Sequence, residues 1–213
     1  MENFVYSVPT TVYFGKGQVR HIANIVSAYG KSVLLVYGGG SIKRNGIYDA
    51  VTDIFQANGI SYHELSGVEP NPRITTVRKG VELCRKEGIE VVLPIGGGST
   101  IDCAKVIAAA VSYEGDAWDI VLDPSKIESV LPIVSILTLA ATGSEMDTFA
   151  VISNLETNDK IGTSHEDMRP KASILDPSYT FSVSAYQTAA GTADIMSHIL
   201  ECYFSNVEGF MQD

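Results

Sequence analysis

Asp194 and His198 stand four positions apart, and three glycines, Gly96-Gly97-Gly98, lead into Ser99, Asp102 and Lys105. Side chains four apart share one face of a helix, so an Asp and a His at this spacing can reach a single divalent metal ion. The same spacing also makes an ordinary surface ion pair. The glycine run follows the apolar stretch Val91-Val92-Leu93-Pro94-Ile95, which reads as a buried strand. A strand, a glycine turn and the free N–H groups of a helix start form a cradle for phosphate or pyrophosphate. The order of residues is neither G-x-G-x-x-G nor a P-loop, because Lys105 comes too late. Ser99 and Asp102 also fit a capping-box variant, S-x-x-D, which needs no ligand.

A second cluster, Gly38-Gly39-Gly40-Ser41, follows another strand-like run and opens another helical region. A dinucleotide needs one loop for its pyrophosphate and one near the adenosine ribose, and two such loops on one sheet meet that need. No acidic residue stands in Tyr37 to Ile42 to take a ribose 2′-hydroxyl, whereas Lys43 and Arg44 lie just beyond and suit a 2′-phosphate. Thr138 to Glu145, rich in small and hydroxyl side chains, follows a third strand-like run and can line a cofactor channel or serve as ordinary loop. His21, His63 and His165 have no partner at metal-ligand spacing and read as surface or packing residues.

The elements that must position these groups alternate. Residues 32–37, 60–65, 90–95 and 132–137 read as strands rich in Val, Ile and Leu. Between them, Val51, Ile54 and Phe55, then Ile74, Val77, Val81 and Cys84, recur near helical spacing. This βαβ alternation implies a largely parallel sheet covered on both faces, with ligands beyond the carboxyl ends of its strands. Val12-Tyr13-Phe14 reads as an edge strand. The pattern changes after Leu175-Asp176-Pro177. Ser184 and Gln187 form a capping box, and 185–205 read as helical, with Gly191 breaking the stretch into two helices or a kink. A boundary is placed near residue 180, and Asn206 to Asp213 show no closing motif.

Bulk properties bound the function. Of 213 residues, 45% are hydrophobic and 19% charged, and 25 acidic against 15 basic residues give a net charge of −10. That balance argues against nucleic acid or an anionic membrane surface as a partner. Cys84, Cys103 and Cys202 have no C-x-x-C spacing and are odd in number, which favours a reducing compartment. Met1-Glu2-Asn3-Phe4 carries no basic region and no signal-like core, and no apolar run has the length of a membrane span, so a cytoplasmic location is expected.

In this order the pieces resemble the iron-dependent (group III) alcohol dehydrogenase family. The resemblance is carried by Gly38-Gly39-Gly40-Ser41, Glu69-Pro70-Asn71-Pro72, Gly96-Gly97-Gly98-Ser99-x-x-Asp102-x-x-Lys105, Thr138 to Glu145, and Asp194-x-x-x-His198. Tyr37 to Lys43 and Thr142 to Met146 are most similar to its butanol dehydrogenase and broad-range aldehyde reductase branch. The resemblance implies an α/β chain. Residues 1–180 would form a parallel-sheet, Rossmann-like dinucleotide-binding domain, and 181–213 the start of an all-α metal-binding domain. It implies metal-assisted hydride transfer between NAD(P)H and a primary alcohol or aldehyde. Gly97, Gly98 and Ser99 would hold the pyrophosphate, with Gly38, Gly39, Gly40, Ser41 and Asp102 also in the cofactor site. Asn71, Thr138, Leu139 and Lys160 would line the groove, and Asp147 would stand on the nicotinamide side. Asp194 and His198 would be the first two ligands of Fe2+ or Zn2+. NAD-preferring relatives often carry Asp where Gly39 stands, so NADP is favoured, with NAD possible.

Family members are longer, and their remaining metal ligands are histidines, whereas no His follows His198. The chain is therefore expected to be the N-terminal part of such an enzyme and inactive alone, with the longer form a homodimer or higher oligomer. A truncated, non-catalytic nucleotide-binding or oligomerisation module is the alternative.

Overall fold

The structure is a computed structural model that describes residues 7–205. The expectations placed on Met1 to Phe4 and on Asn206 to Asp213 lie outside the described residues. A six-stranded sheet carries the fold, in the spatial order β1-β8-β5-β4-β2-β3, and every pairing in it is parallel. The strands are β1 (Thr11–Phe14), β2 (Ser32–Tyr37), β3 (Ser61–Leu65), β4 (Val91–Gly96), β5 (Val134–Leu137) and β8 (Ala172–Leu175). The expected α/β class and the four expected strands are present, and Val12 to Phe14 do form an edge strand, β1.

Both faces of the sheet are covered, which is why β2 and β4 read as continuous apolar runs and not as alternating ones. On β2, Val33, Leu35 and Tyr37 pack on one side against α1 (Ile22–Ser27) and α3 (Ile47–Ala57), while Leu34 and Val36 join the core on the other. That second core holds α4 (Ile74–Glu87), α5 (Gly98–Ala110) and α6 (Ala117–Leu122). Helix α3 buries Ile47, Val51 and Phe55, and α4 buries Ile74, Val77, Val81 and Cys84. Each such aliphatic or aromatic side chain contributes about 1.5–3 kcal/mol on burial. Helix α5 is covered nearly all round: every residue from Gly98 to Ala110 is buried except Ser99 and Asp102.

Strand order fixes where a ligand binds. From β2 the chain crosses to β3 at one edge, and from β4 it runs to β5 in the opposite direction, although β2 and β4 are paired neighbours. The order therefore reverses between β2 and β4, and in open parallel sheets the binding crevice lies outside the carboxyl ends of the strands at that reversal. Gly38 to Gly40 follow β2 and Gly97 follows β4.

The sequence reading did not anticipate an antiparallel hairpin between β5 and β8, formed by β6 (Phe149–Asn154) and β7 (Asp159–Ser164). Its Ser153 bridges Arg73, and the Ser153 amide donates to the Pro72 carbonyl at 2.8 Å. The last described helix, α7 (Ala185–Tyr203), has its N-terminus capped by Ser184 and buries no residue. It runs as one helix through Gly191, so the stretch is not split into two helices. A single helix-interior glycine costs only about 1 kcal/mol and is outweighed by the continuous backbone ladder.

Candidate cofactor and metal site

Helix α5 starts at Gly98, with Gly97 in the cap position and no side chain capping it, so Ser99 and Asp102 do not form the capping box their spacing allowed. The first two helical amides, of Gly98 and Ser99, have no acceptor within the helix, which begins directly after β4. The glycines also have a packing cause. A Cβ on Gly97 would lie 3.2 Å from Leu139 Cβ, and one on Gly98 would lie 2.5 Å from Thr142 Oγ1. The loop after β5 thus sits against the turn, and the Thr138 amide donates to the Gly96 carbonyl at 3.0 Å.

Asp102 faces that loop. Its Oδ1 accepts from Ser144 Oγ at 2.7 Å and its Oδ2 from the Val151 amide at 3.0 Å. Burial pushes its carboxyl above the usual range, against those two hydrogen bonds and the Lys105 charge. One turn later, fully buried Lys105 donates to Asp147 Oδ1 at 2.7 Å and to the Phe149 carbonyl at 2.8 Å. Two charged residues of α5 therefore hold the loop and the start of β6 against the glycine turn. This brings Gly97, Gly98, Ser99, Asp102, Thr138, Leu139 and Asp147 together. The ladder role of Asp102 and Lys105 was missed, although Lys105 is a lone cation in the otherwise apolar run Cys103 to Ala110 and could have been flagged for that.

The first glycine cluster forms the second loop. Gly40 is left-handed, at φ 87°, and starts the single turn α2 (Ser41–Arg44). The Gly38 carbonyl accepts from the Gly67 amide and the Tyr37 carbonyl from Val68, so the loop after β3 is zipped to it. That loop leads to Asn71, exposed and at φ 55°. Lys160, exposed on β7, lies opposite Ser153, whose amide meets Pro72. No hydrogen bond among the described residues joins Lys160 to either glycine turn.

A cluster the sequence reading missed stands beside Gly38 to Ser41. Glu64 on β3 accepts from Tyr37 Oη, from Tyr48 Oη at 2.5 Å and from Lys43 Nζ at 3.2 Å. The Lys43 ammonium lies 4.2 Å from the Tyr48 ring centroid. Burial would raise the Glu64 carboxyl, but hydrogen bonds from Tyr37, Tyr48 and Lys43 outweigh it and hold it below the usual range.

On α7, His198 Nε2 is 3.7 Å from Asp194 Oδ2, and both side chains are exposed. An imidazole and a carboxylate so placed are the donor types that hold Fe2+ or Zn2+. They fit part of a metal shell, since no cluster of three or more His, Cys, Asp or Glu side chains occurs among the described residues. His198 and Ile195 form one wall of a cleft of about 450 Å³ whose other wall includes Thr142, Ser144, Asp147 and Phe149.

The sequence model of one family, described as iron-containing alcohol dehydrogenase, matches residues 9–177. The chain belongs to that family. It is 66% identical over 214 residues to an NADH-dependent butanol dehydrogenase A of Clostridium acetobutylicum, covering 100% of this chain and 55% of the relative. It is 38% identical to an NADPH-dependent aldehyde reductase of Escherichia coli, with 100% and 55% covered. Among solved structures, an NADH-dependent butanol dehydrogenase A of Thermotoga maritima superposes with a TM-score of 0.92 at 46% identity, covering 99% of this chain and 53% of that one. The chain spans about half the length of the curated relatives it matches. No helix among the described residues is long and apolar enough to cross a membrane.

Proposed function

We propose that this chain supplies the cofactor-binding part, and two metal ligands, of an oxidoreductase that moves a hydride between a nicotinamide dinucleotide and a primary alcohol or aldehyde. One observation carries the reading: the cleft in which Asp147 and Thr142, held beside the α5 glycine turn, face His198 of α7. A dinucleotide with its pyrophosphate at the amides of Gly98 and Ser99 has its reactive end directed along that cleft towards Asp194 and His198. Residues 1–180 serve the cofactor in this reading, and 181–213 begin the metal-binding part.

In this reading Asp194 and His198 hold Fe2+ or Zn2+, and the bound ion acts as a Lewis acid that polarises the substrate oxygen. The chain's own residues bind and orient. Gly97, Gly98 and Ser99 present amides to the pyrophosphate. Asp102 and Lys105 fix the loop that carries Thr138, Leu139 and Asp147, and Asn71 and Lys160 flank the groove. Gly38, Gly39, Gly40 and Ser41 lie by the adenosine ribose. Gly39, with no carboxylate there, favours NADP. Lys43 is already paired with Glu64, which weakens that preference. Relatives carry both names, NADH-dependent at 66% and 63% identity and NADPH-dependent at 38%.

The test is titration of the chain with NADH and NADPH by cofactor fluorescence, followed by butanal with added Fe2+ or Zn2+. Binding of a reduced cofactor with no turnover supports the reading, because Asp194 and His198 supply only part of a metal shell. Failure to bind either cofactor overturns it. Metal-dependent turnover by the chain alone would contradict the division of the metal site.

A further inference from the structure

Lys105 is fully buried while its partner Asp147 is not: side-chain exposures are 0% and 38%, with Nζ and Oδ1 2.7 Å apart. Asp147 Oδ1 is held twice, by Lys105 and by the Phe149 amide at 2.9 Å, and Oδ2 accepts no hydrogen bond among the described residues. The carboxylate lies on the cleft wall opposite His198. A cation is thus locked behind an anion that faces the place where a reacting ring would lie. Burial draws the Lys105 ammonium below its usual range while Asp147 pulls it back up, as expected of a charge kept in the interior by one partner.

We propose that Lys105 and Asp147 act as a charge balance that sets the relative affinity for oxidised and reduced cofactor, and this rests on the reading of the cleft as a nicotinamide site. Hydride transfer requires the ring close to the substrate carbon, within about 3.5 Å in a productive complex, and hence near the metal-ligand face of the cleft. The oxidised nicotinamide ring carries a positive charge and the reduced ring carries none. A carboxylate beside the ring therefore binds the oxidised form more tightly, and a buried ammonium behind the carboxylate offsets that bias. Asp147 is the group that meets the cofactor; Lys105 is a positioning residue that acts through it. A purely structural tether would alter stability, or both affinities together, and leave their ratio unchanged.

The experiment measures dissociation constants of the chain for NAD+ and NADH, and for NADP+ and NADPH, in the wild type, Lys105→Met, Asp147→Asn and the double variant. Lys105→Met should lower the ratio of oxidised to reduced constants, and Asp147→Asn should raise it. Each change is about three- to tenfold for a unit charge within several ångströms in a partly solvated cleft. The double variant should return close to the wild-type ratio. Should Lys105→Met fail to fold, Asp147→Asn, isosteric and partly exposed, decides the matter alone. An unchanged ratio in folded Asp147→Asn, or equal loss of both forms, overturns the charge-balance proposal and leaves the functional reading standing. Absence of binding of every cofactor by the wild type overturns the functional reading and the charge-balance proposal with it.

Discussion

Lys43 sits 3.2 Å from the Glu64 carboxylate, on the turn that follows the first glycine cluster. On the proposed reading of the cofactor site, the pair places opposite charges beside the adenosine ribose of the dinucleotide. A 2′-phosphate there would gain from Lys43 and be repelled by Glu64, whereas a 2′-hydroxyl would feel little of either.

Glu64→Gln should therefore shift preference towards NADP. It removes the repelling charge and frees Lys43, while an amide at the same place still meets Tyr37 and Tyr48. One charge-assisted hydrogen bond is worth about 1.5–3 kcal/mol, and at this solvent-exposed position the low end, about tenfold, is expected. The check is the ratio of NADP(H) to NAD(H) dissociation constants. A ratio that stays put or moves towards NAD would show that Lys43 does not reach the cofactor.

Asp102→Ala should loosen the loop after β5. It takes away both acceptors that hold Ser144 and the Val151 amide to α5. Leaving such a backbone donor unpaired costs about 1–3 kcal/mol, partly regained because the buried carboxylate is itself costly to desolvate. Urea unfolding reads the stability change and cofactor titration reads the loss of affinity. Asp102→Asn keeps one oxygen acceptor and should fall between the two. Equal affinity in Asp102→Ala would mean the loop does not shape the cofactor groove.

What the sequence made legible depended on whether a signal was local. Strands β2 and β4 are runs of Val, Leu and Ile buried on both sides, and α3 and α4 keep a strict apolar spacing, so local pattern suffices for them. The glycine turns stand out because few other residues could replace Gly97 and Gly98 against Leu139 and Thr142. Hairpin β6–β7 was not legible, since Asp159 to Ser164 has no apolar alternation and the hairpin is held to the fold by distant contacts of β6 with Pro72 and α5. The Asp102–Ser144 and Lys105–Asp147 contacts each join residues 42 positions apart, a separation no local pattern reports. Spacing alone offered Asp102 as a cap, and tertiary hydrogen bonding took it instead.

Acid should destabilise the fold below about pH 4. The Asp116 carboxyl is held low by Arg78, against some burial, with help from the Trp118 amide. At Asp176 burial pushes upward, but bonds from Ser178 and the Gly17 amide outweigh it and leave the carboxyl low. A carboxyl lowered by folding contributes stability above its unfolded value and loses it as pH falls through the folded one. Asp102 works in the opposite sense and in a different window: its raised carboxyl is relieved on protonation above the unfolded value, so it lifts stability somewhat as pH falls towards about 4, before the loss begins. Asp116→Asn should flatten part of the acid limb in thermal melts recorded from pH 7 to 2.5. An unchanged limb would show that the Arg78 pair contributes nothing to it.

One thiol of three should react with a disulfide reagent at pH 8. Cys84 and Cys103 are buried in the core beside α4 and α5, and burial pushes both thiols up to about 12. Only the thiolate attacks, and for such a thiol it amounts to on the order of one part in ten thousand at pH 8. Cys202 is exposed on α7, one turn beyond His198. A single fast equivalent is expected, lost in Cys202→Ser, with the other two appearing only after denaturation. Fast reaction of a second thiol in the native chain would mean that the core around α4 or α5 opens far more readily than its packing implies.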